Sequence, residues 1–407
     1  MSTYGSLPEG WSEVELMSLA SVITDGAHSS PKPQNQGRFM CSVKDMTYNK
    51  FDFFNVKLIS EEDYQFLLKQ GCAPQKGDLL ISKDGANCLD LLFLYEQEEE
   101  IVLLSSIAIV RLKQSVCKEY VRYFLLSPDC QYIMRNNYVS GSAIPRVVLK
   151  DFKKVPIVLP PLPEQEAIAS VLSSLDDKID LLHRQNKTLE AMAETLLIQH
   201  VLPKEDMQDE DVHLLGDYLD TISVTHKFPN SQVVFLNTSD IYKGKVLTNE
   251  LSDVKGLPGQ AKKSIIKEDI LFSEIRPANG RYALIDFDAD DYVVSTKLMV
   301  LRAKQPKLLG LLYFYLTNRQ TTDWLQVLAE SRSGTFPQIT FDQVADLEFR
   351  LPEGQALESL ILLLDDILLK QGANHKQIQT LEKLRDTLLP KLMSGEVRAQ
   401  YQTEEVA

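Results

Sequence analysis

From Leu159 to Val201 the chain reads LPPLPEQEAIASVLSSLDDKIDLLHRQNKTLEAMAETLLIQHV. Pro160, Pro161 and Pro163 cannot continue a strand and favour an extended entry followed by a helix start. Glu164 and Glu166 fall in the first turn, where the helix dipole favours negative charge. Residues then recur in alternating steps of four and three: Ile168, Leu172, Leu175, Ile179, Leu182, Asn186, Leu189, Ala193 and Leu196. This 3.5-residue period predicts a coiled-coil helix, and the polar Asn186 within the seam is the kind of residue that fixes register. At ~1.5 Å per residue the segment makes a rod on the order of 50 Å long. A rod with one apolar stripe needs a partner helix.

The end of the chain supplies it. TLE at 188–190 recurs at 380–382, and ETLL at 194–197 recurs as DTLL at 386–389. SGSAIPRVVL (140–149) matches SGTFPQITF (333–341), and LP at 159–160 matches LP at 351–352. A second seam follows at Leu357, Ile361, Leu364, Leu368, Gln371, His375 and Ile378. The second copy holds three more residues between its Leu-Asp-Asp step (364–366) and its TLE, including Gly372, which predicts local overwinding or a break there. The match reaches into the globular parts: KGDLLIS (76–82) pairs with KEDILFS (267–273), and SIAIVRL…EYVRYFLL (106–126) with STKLMVLRA…GLLYFYLT (295–317). The chain is a duplicated globular–helix unit, with a period far too long for a solenoid.

The 407 residues leave room for two domains with cores of their own. No apolar run is long enough to span a bilayer, and the N-terminus lacks a signal-peptide profile, so a cytoplasmic protein is expected. Cys41, Cys72, Cys88, Cys117 and Cys130 show no paired CxxC spacing and read as reduced core or loop residues. The net charge of −14 is unevenly placed. Residues 1–159 carry 17 basic and 19 acidic side chains and residues 213–352 carry 16 and 17, which leaves −11 on the helices, the linker and the tail. Near-neutral globular parts with 33 basic residues permit a basic face on each domain.

Along the chain, a lead-in element packs Trp11, Val14, Leu16 and Leu19. A polar Gly/Pro/Ser/Asn-rich loop (25–46) follows, closing into a strand at Phe39–Val43. KGDLLISKDGANCLD (76–90) predicts a buried strand over Leu79–Ile81 and a second polar loop. Residues 106–112 form a further strand, then helices lie near 118–126 and 129–138. The second copy repeats this order, with strands over 232–237 and 269–273, a loop EIRPANGRY, and helices near 307–317 and 320–330. There is no phosphate loop, no HExxH and no GxGxxG opening a helix. Asp286-x-Asp288-x-Asp290 begins like a calcium loop, but Asp291 replaces its glycine and Lys297 its final glutamate. His28 beside Asp25 reads as a surface or hydrogen-bonding residue rather than an acid–base pair, and the histidines show no metal-ligand spacing.

LPPLPEQEAIASVLSSLDDKID, following SGSAIPRVVLKDFKKVPIV, strongly resembles the specificity (S) subunits of Type I restriction–modification systems, and TDGAHSSPKPQNQG…SVKDM…ISEEDYQFLLKQGCAPQKGDLLISKDGAN looks like a target-recognition domain of that family. The resemblance covers essentially the whole chain; the second copy departs in having LPEGQALESL in place of the PPLPEQ form. It implies an α+β fold: two mixed α/β target-recognition domains (1–158 and 213–351) separated by two long antiparallel coiled-coil helices (159–203 and 352–395), with an acidic linker (204–212), a C-terminal tail (396–407) and a pseudo-twofold duplication. Each domain is then expected to read one half of a split double-stranded DNA target, with the helices setting the unread gap and docking two modification (adenine methyltransferase) subunits. Restriction subunits join beyond these in a phage-defence complex. The chain itself is expected to be non-catalytic and to hold no metal; S-adenosylmethionine and ATP belong to the partners.

On this reading the candidate DNA contacts are His28, Ser29, Lys32, Arg38, Lys83, Asn87 and Arg146 in the first domain. In the second they are His226, Lys227, Lys243, Lys245, Arg276, Asn279, Arg281 and Arg332. Arginine can read guanine, asparagine adenine, and lysine mostly holds phosphate. The competing expectation is a non-catalytic coiled-coil adaptor joining protein partners, which the acidic total favours.

Overall fold

The computed structural model describes residues 3–141, 145–203, 212–332 and 335–400, with Arg332 described in its backbone alone. The acidic run 204–211, the loop tip 142–144 and the last residues of the tail lie outside these. The chain divides into two compact units, Met1–Asp180 with Gln379–Ala407, and Leu181–Ile378. Each unit holds one globular domain and a half of each long helix.

The first domain is built on a four-stranded sheet in the order Ala20–Asp25, Ile107–Leu112, Leu79–Ser82, Leu92–Leu94. Every pairing in it is antiparallel. Strand Leu79–Ser82 is buried throughout, which is why its sequence is continuously apolar instead of alternating. A three-stranded sheet lies beside it, with Arg38–Cys41 antiparallel to Lys57–Ile59 and parallel to Ile101–Leu103. Helices Lys118–Leu126 and Pro128–Asn137 follow. Ser12–Glu15 pairs with Pro156–Leu159, so the first and last strands of the domain meet at the entry to the central helix.

The second domain repeats this plan. Its main sheet runs Leu219–Thr221, Leu298–Ala303, Ile270–Ser273, Tyr282–Leu284. In the companion sheet Gln232–Leu236 again pairs parallel with one neighbour, Tyr292–Ser295, and antiparallel with the other, Leu251–Asp253. Helices Leu309–Thr317 and Arg319–Arg332 follow, and His213–Leu214 closes against Glu348–Phe349. The repeated Asp in KGD and KED has a structural reason. Asp78 accepts two hydrogen bonds from Arg111 at 2.9 and 2.7 Å, and Asp269 accepts two from Arg302 at 2.7 and 2.9 Å. Both carboxylates are buried, where only a paired and hydrogen-bonded charge is tolerated.

The central helix is Leu162–His200 and the distal helix Gly354–Ser394, the latter unbroken through Gly372. They run antiparallel within each unit: Glu164 and Asp176 meet Arg398 and Arg385 in the first, and Asn186 meets Asn374 in the second. The start motif of the central helix is a set of side-chain ties. Glu164, expected as a dipole partner, is buried, and accepts from Trp11 Nε1 at 3.1 Å and from Arg398. Gln165 accepts from the Cys117 backbone N–H at 3.1 Å and donates to the Pro160 carbonyl at 2.8 Å.

Ile168, Leu172, Ile179 and Leu182 are buried, while Leu175, Leu189 and Leu196 are half-buried. On the distal helix the expected seam is displaced in part: Leu357, Ile361 and Leu368 are half-buried, Leu364 and Ile378 are buried, and Leu360 and Ile367 are buried beside them. The stripe is wider than an a/d seam because the helices serve two partners. Leu360, Leu364 and Ile367 belong to one core with Leu215, Leu312 and Phe349 of the second domain, just as Ile168 and Leu172 belong to the core of the first. The long helices therefore extend each domain's core.

Candidate nucleic-acid interface

In the first unit the polar loop after Asp25 lies along the neighbouring strand, with Ala27 N–H donating to the Leu103 carbonyl at 2.7 Å and Ser105 N–H to that of Ala27 at 2.9 Å. Gly26 makes this approach possible, since a Cβ there would sit 2.1 Å from the Leu103 carbonyl oxygen. Farther along, Lys57 pins the loop by donating from Nζ to Ser30 Oγ at 2.7 Å and to the Pro31 carbonyl.

This path brings His28 onto a charged cluster at the ends of the main-sheet strands. His28 Nε2 is 3.3 Å from Asp25 Oδ1, Lys83 Nζ is 3.4 Å from Asp25 and 3.1 Å from Asp84, and Arg146 Nε is 3.2 Å from the other Asp84 oxygen. The exposures decide the roles. The Lys83 side chain is 3% exposed, His28 69% and Arg146 54%. Lys83 is thus corrected as a candidate contact: it is a buried counter-charge holding two carboxylates, which in turn hold His28 and Arg146 at the surface. A buried ammonium is stable only with such partners.

Ser29, Lys32 and Asn87 are exposed on the same loops. Arg38 is not brought to the cluster. Its guanidinium is committed to Glu61 at 2.6 Å and Glu100 at 2.8 Å, above the Tyr64 ring. The Glu61 hydrogen bond, then its charge, raise the arginine pKa, and the same hydrogen bond lowers that of Glu61.

In the second unit, Lys243, Arg276, Asn279 and Arg281 converge. The hairpin of Ile241–Tyr242 and Lys245–Val246 docks on the loop after Ile270–Ser273, with Lys243 N–H donating to the Gly280 carbonyl at 2.8 Å and Gly244 N–H to that of Tyr282 at 2.9 Å. Gly280, at φ +68°, keeps its α-carbon within reach of Lys243, where a Cβ would lie 3.1 Å from Cγ. Arg281 donates to the Ser239 and Ile241 carbonyls and lies over the Tyr242 ring, so it braces the hairpin. Arg276 and Asn279 are exposed, as are Lys227 and Lys243, and Lys245 is half-buried.

His226 is a correction of the same kind as Lys83. It is 8% exposed, its Nδ1 accepts from the Phe228 N–H at 3.0 Å, and its Nε2 faces the Asp290 carbonyl at 3.4 Å. With both ring nitrogens engaged, it holds the loop's shape. The side chain of Arg332 lies outside the described residues. Among the described residues no three His, Cys, Asp or Glu side chains gather as a metal-holding group.

Both domains build this surface on one backbone frame. Lys83 N–H donates to Ser106 at 2.9 Å and Glu274 N–H to Lys297 at 3.0 Å; Val147 N–H donates to Lys83 at 2.8 Å and Ile339 N–H to Glu274 at 2.9 Å. Gly85 N–H donates to Pro145 at 3.0 Å and Arg276 N–H to Pro337 at 3.2 Å, in each case to the carbonyl. Two loops from distant parts of the sequence are thereby locked together at the strand ends of each domain. Choosing candidates among polar-loop Arg, Lys, Asn, His and Ser left out Asp25, Asp84, Gln338 and, in or beside strands, Lys57 and Lys297; the repeat itself, which sets Gln338 opposite Arg146, was the signal that could have found Gln338.

Comparison with known proteins agrees with the two-domain plan. The profile of the Type I restriction modification DNA specificity domain matches residues 8–191 and 226–383, one match per domain. The Type I restriction enzyme HindI specificity subunit of Haemophilus influenzae is 45% identical over 186 residues, 45% of this chain and 40% of that one. The chain thus spans about two-fifths of that subunit. The MjaIX specificity subunit of Methanocaldococcus jannaschii is 25% identical over 315 residues, 71% of each. The crystal structure of a Type I restriction–modification S subunit from M. genitalium superposes with a TM-score of 0.58 at 15% identity, covering 96% of this chain and 99% of that one, and so shares the fold.

Proposed function

This chain belongs to the Type I restriction modification DNA specificity family, and on that premise we propose that it is the DNA-recognition subunit of a Type I restriction–modification complex, each domain reading one half of a divided target. The observation that carries the reading is the strand-end platform built twice on the same backbone frame, each time bearing exposed Arg, Asn or His side chains on loops. Arginine and asparagine can read base edges in the major groove, and the flanking lysines hold phosphate. On this reading the methyltransferase and nuclease chemistry, with S-adenosylmethionine and ATP, resides in partner subunits. The long helices offer those partners exposed apolar side chains at Val171 in the first unit, and at Leu362, Leu363 and Leu369 in the second.

The family match does not favour the adaptor reading. A gel shift with random-sequence duplex separates the two. A DNA-recognition subunit binds such duplex at low salt and releases it steeply as salt rises, because neutralised phosphates give back their counterions. An absence of any shift at low salt contradicts the proposal.

A further inference from the structure

The two platforms share a backbone but not their side chains. Where the first has Lys83, Asp84 and Arg146, the second has Glu274, Ile275 and Gln338; the bridge pairs Asp84 with Arg146 and Ile275 with Gln338 are the same contact made twice. In the first unit Lys83, Asp25, Asp84 and Arg146 pair with one another at this place. In the second a hollow of about 410 Å³ is lined by Lys263, Glu274, Phe336, Gln338 and Thr340 among others.

The hollow is chemically organised. Lys297 Nζ donates to Gln338 Oε1 at 3.2 Å and lies 3.7 Å from Glu274, which fixes the amide's orientation and leaves its NH₂ end to donate. Lys263 reaches the wall by donating to the Leu298 carbonyl at 2.7 Å, and burial lowers its pKa. Phe336 stands 62% exposed at the rim. An oriented amide beside an exposed aromatic ring matches the major-groove edge of an A·T pair: the NH₂ can donate to adenine N7, the second lone pair of Oε1 can accept from N6, and the ring can meet the thymine methyl. At the equivalent position Arg146 is braced through Nε by Asp84, which leaves the outer guanidinium nitrogens for the N7 and O6 acceptors of guanine.

We infer that this one bridge position of the platform determines specificity in both halves of the target, Gln338 reading an A·T pair in the second half-site and Arg146 a G·C pair in the first. The inference rests on the proposed DNA-recognition function.

The test maps methylated adenines in a host expressing the full chain with its cognate modification subunits, for the unaltered chain and for Gln338→Ala, Gln338→Arg, Phe336→Ala and Arg146→Gln. Gln338→Ala relaxes one A·T position of a single half-site by about tenfold, and Gln338→Arg shifts that position towards G·C. Arg146→Gln alters one G·C position of the other half-site. The inference is overturned if the unaltered chain gives a split motif and both Gln338→Ala and Phe336→Ala keep every position of it. It is equally overturned if Gln338→Ala, at unchanged melting temperature, weakens all sequences alike with a shallower salt dependence, the mark of a phosphate contact. Should Gln338→Ala lower the melting temperature, Gln338→Arg and Arg146→Gln decide alone, and two unchanged motifs overturn the inference. Absence of a split motif with the unaltered chain, partners being present, instead defeats the DNA-recognition reading itself.

Discussion

Asn186 and Asn374 meet across the helix pair of the second unit, with Asn374 Nδ2 donating to Asn186 Oδ1 at 2.8 Å and Gln371 Nε2 donating to the Asn186 carbonyl at 3.3 Å. Asn186 was legible as a register residue because it interrupts an apolar seam. Its partner was not, since the expected distal seam passed through His375 instead. The pair gives a test at the residue scale. Asn374→Leu leaves the half-buried Asn186 amide without its partner, Asn186→Leu does the same to the buried Asn374, and each costs about 1–3 kcal/mol. The double replacement Asn186→Leu with Asn374→Leu recovers most of that stability, because both polar groups leave together. Urea midpoints of the two singles and the double form the cycle that checks it; strictly additive losses contradict a direct pair. Lys83 and His226 show what a linear sequence conceals at this scale. Both sit in polar loops that read as exposed, yet each is enclosed by a group far off in the chain, Asp25 for the lysine and Asp290 for the histidine.

At the scale of elements, strands and helices were readable because their periods are strong, from the buried run at Leu79–Ser82 to the 3.5-residue seams. The repeat was readable too, since the buried Asp78–Arg111 and Asp269–Arg302 forks need the same residues in both copies. What the periods could not show was the width of the buried stripe, which depends on a third body packing against the helix pair. His375 lies at its edge. Burial foremost, then the charges of Lys245 and His183, lower its pKa from 6.5 to about 4, with Asp286 opposing. A base whose pKa falls on folding takes up its proton more readily in the unfolded chain. Its contribution is therefore whole above about pH 6.5 and is lost as pH falls towards 4. Urea unfolding followed between pH 7.5 and 4 should show a shallower acid-side decline for His375→Asn than for the unaltered chain. Identical slopes would remove His375 from the account.

For the whole molecule, the duplication is the central fact: one fold, one backbone platform and one set of buried forks occur twice with different loop side chains. If each domain reads its own half of the target, exchanging residues 1–158 for those of a relative changes one half-site and leaves the other untouched. The near-neutral charge of the domains against an acidic remainder fits the proposal that recognition lies in the domains. The most direct measurement is the map of methylated adenines in a host carrying the cognate modification subunits, with and without this chain. A two-part motif with an unread gap, present only when the chain is expressed, is the expected result. Unchanged methylation, with the partner subunits confirmed present, would contradict it.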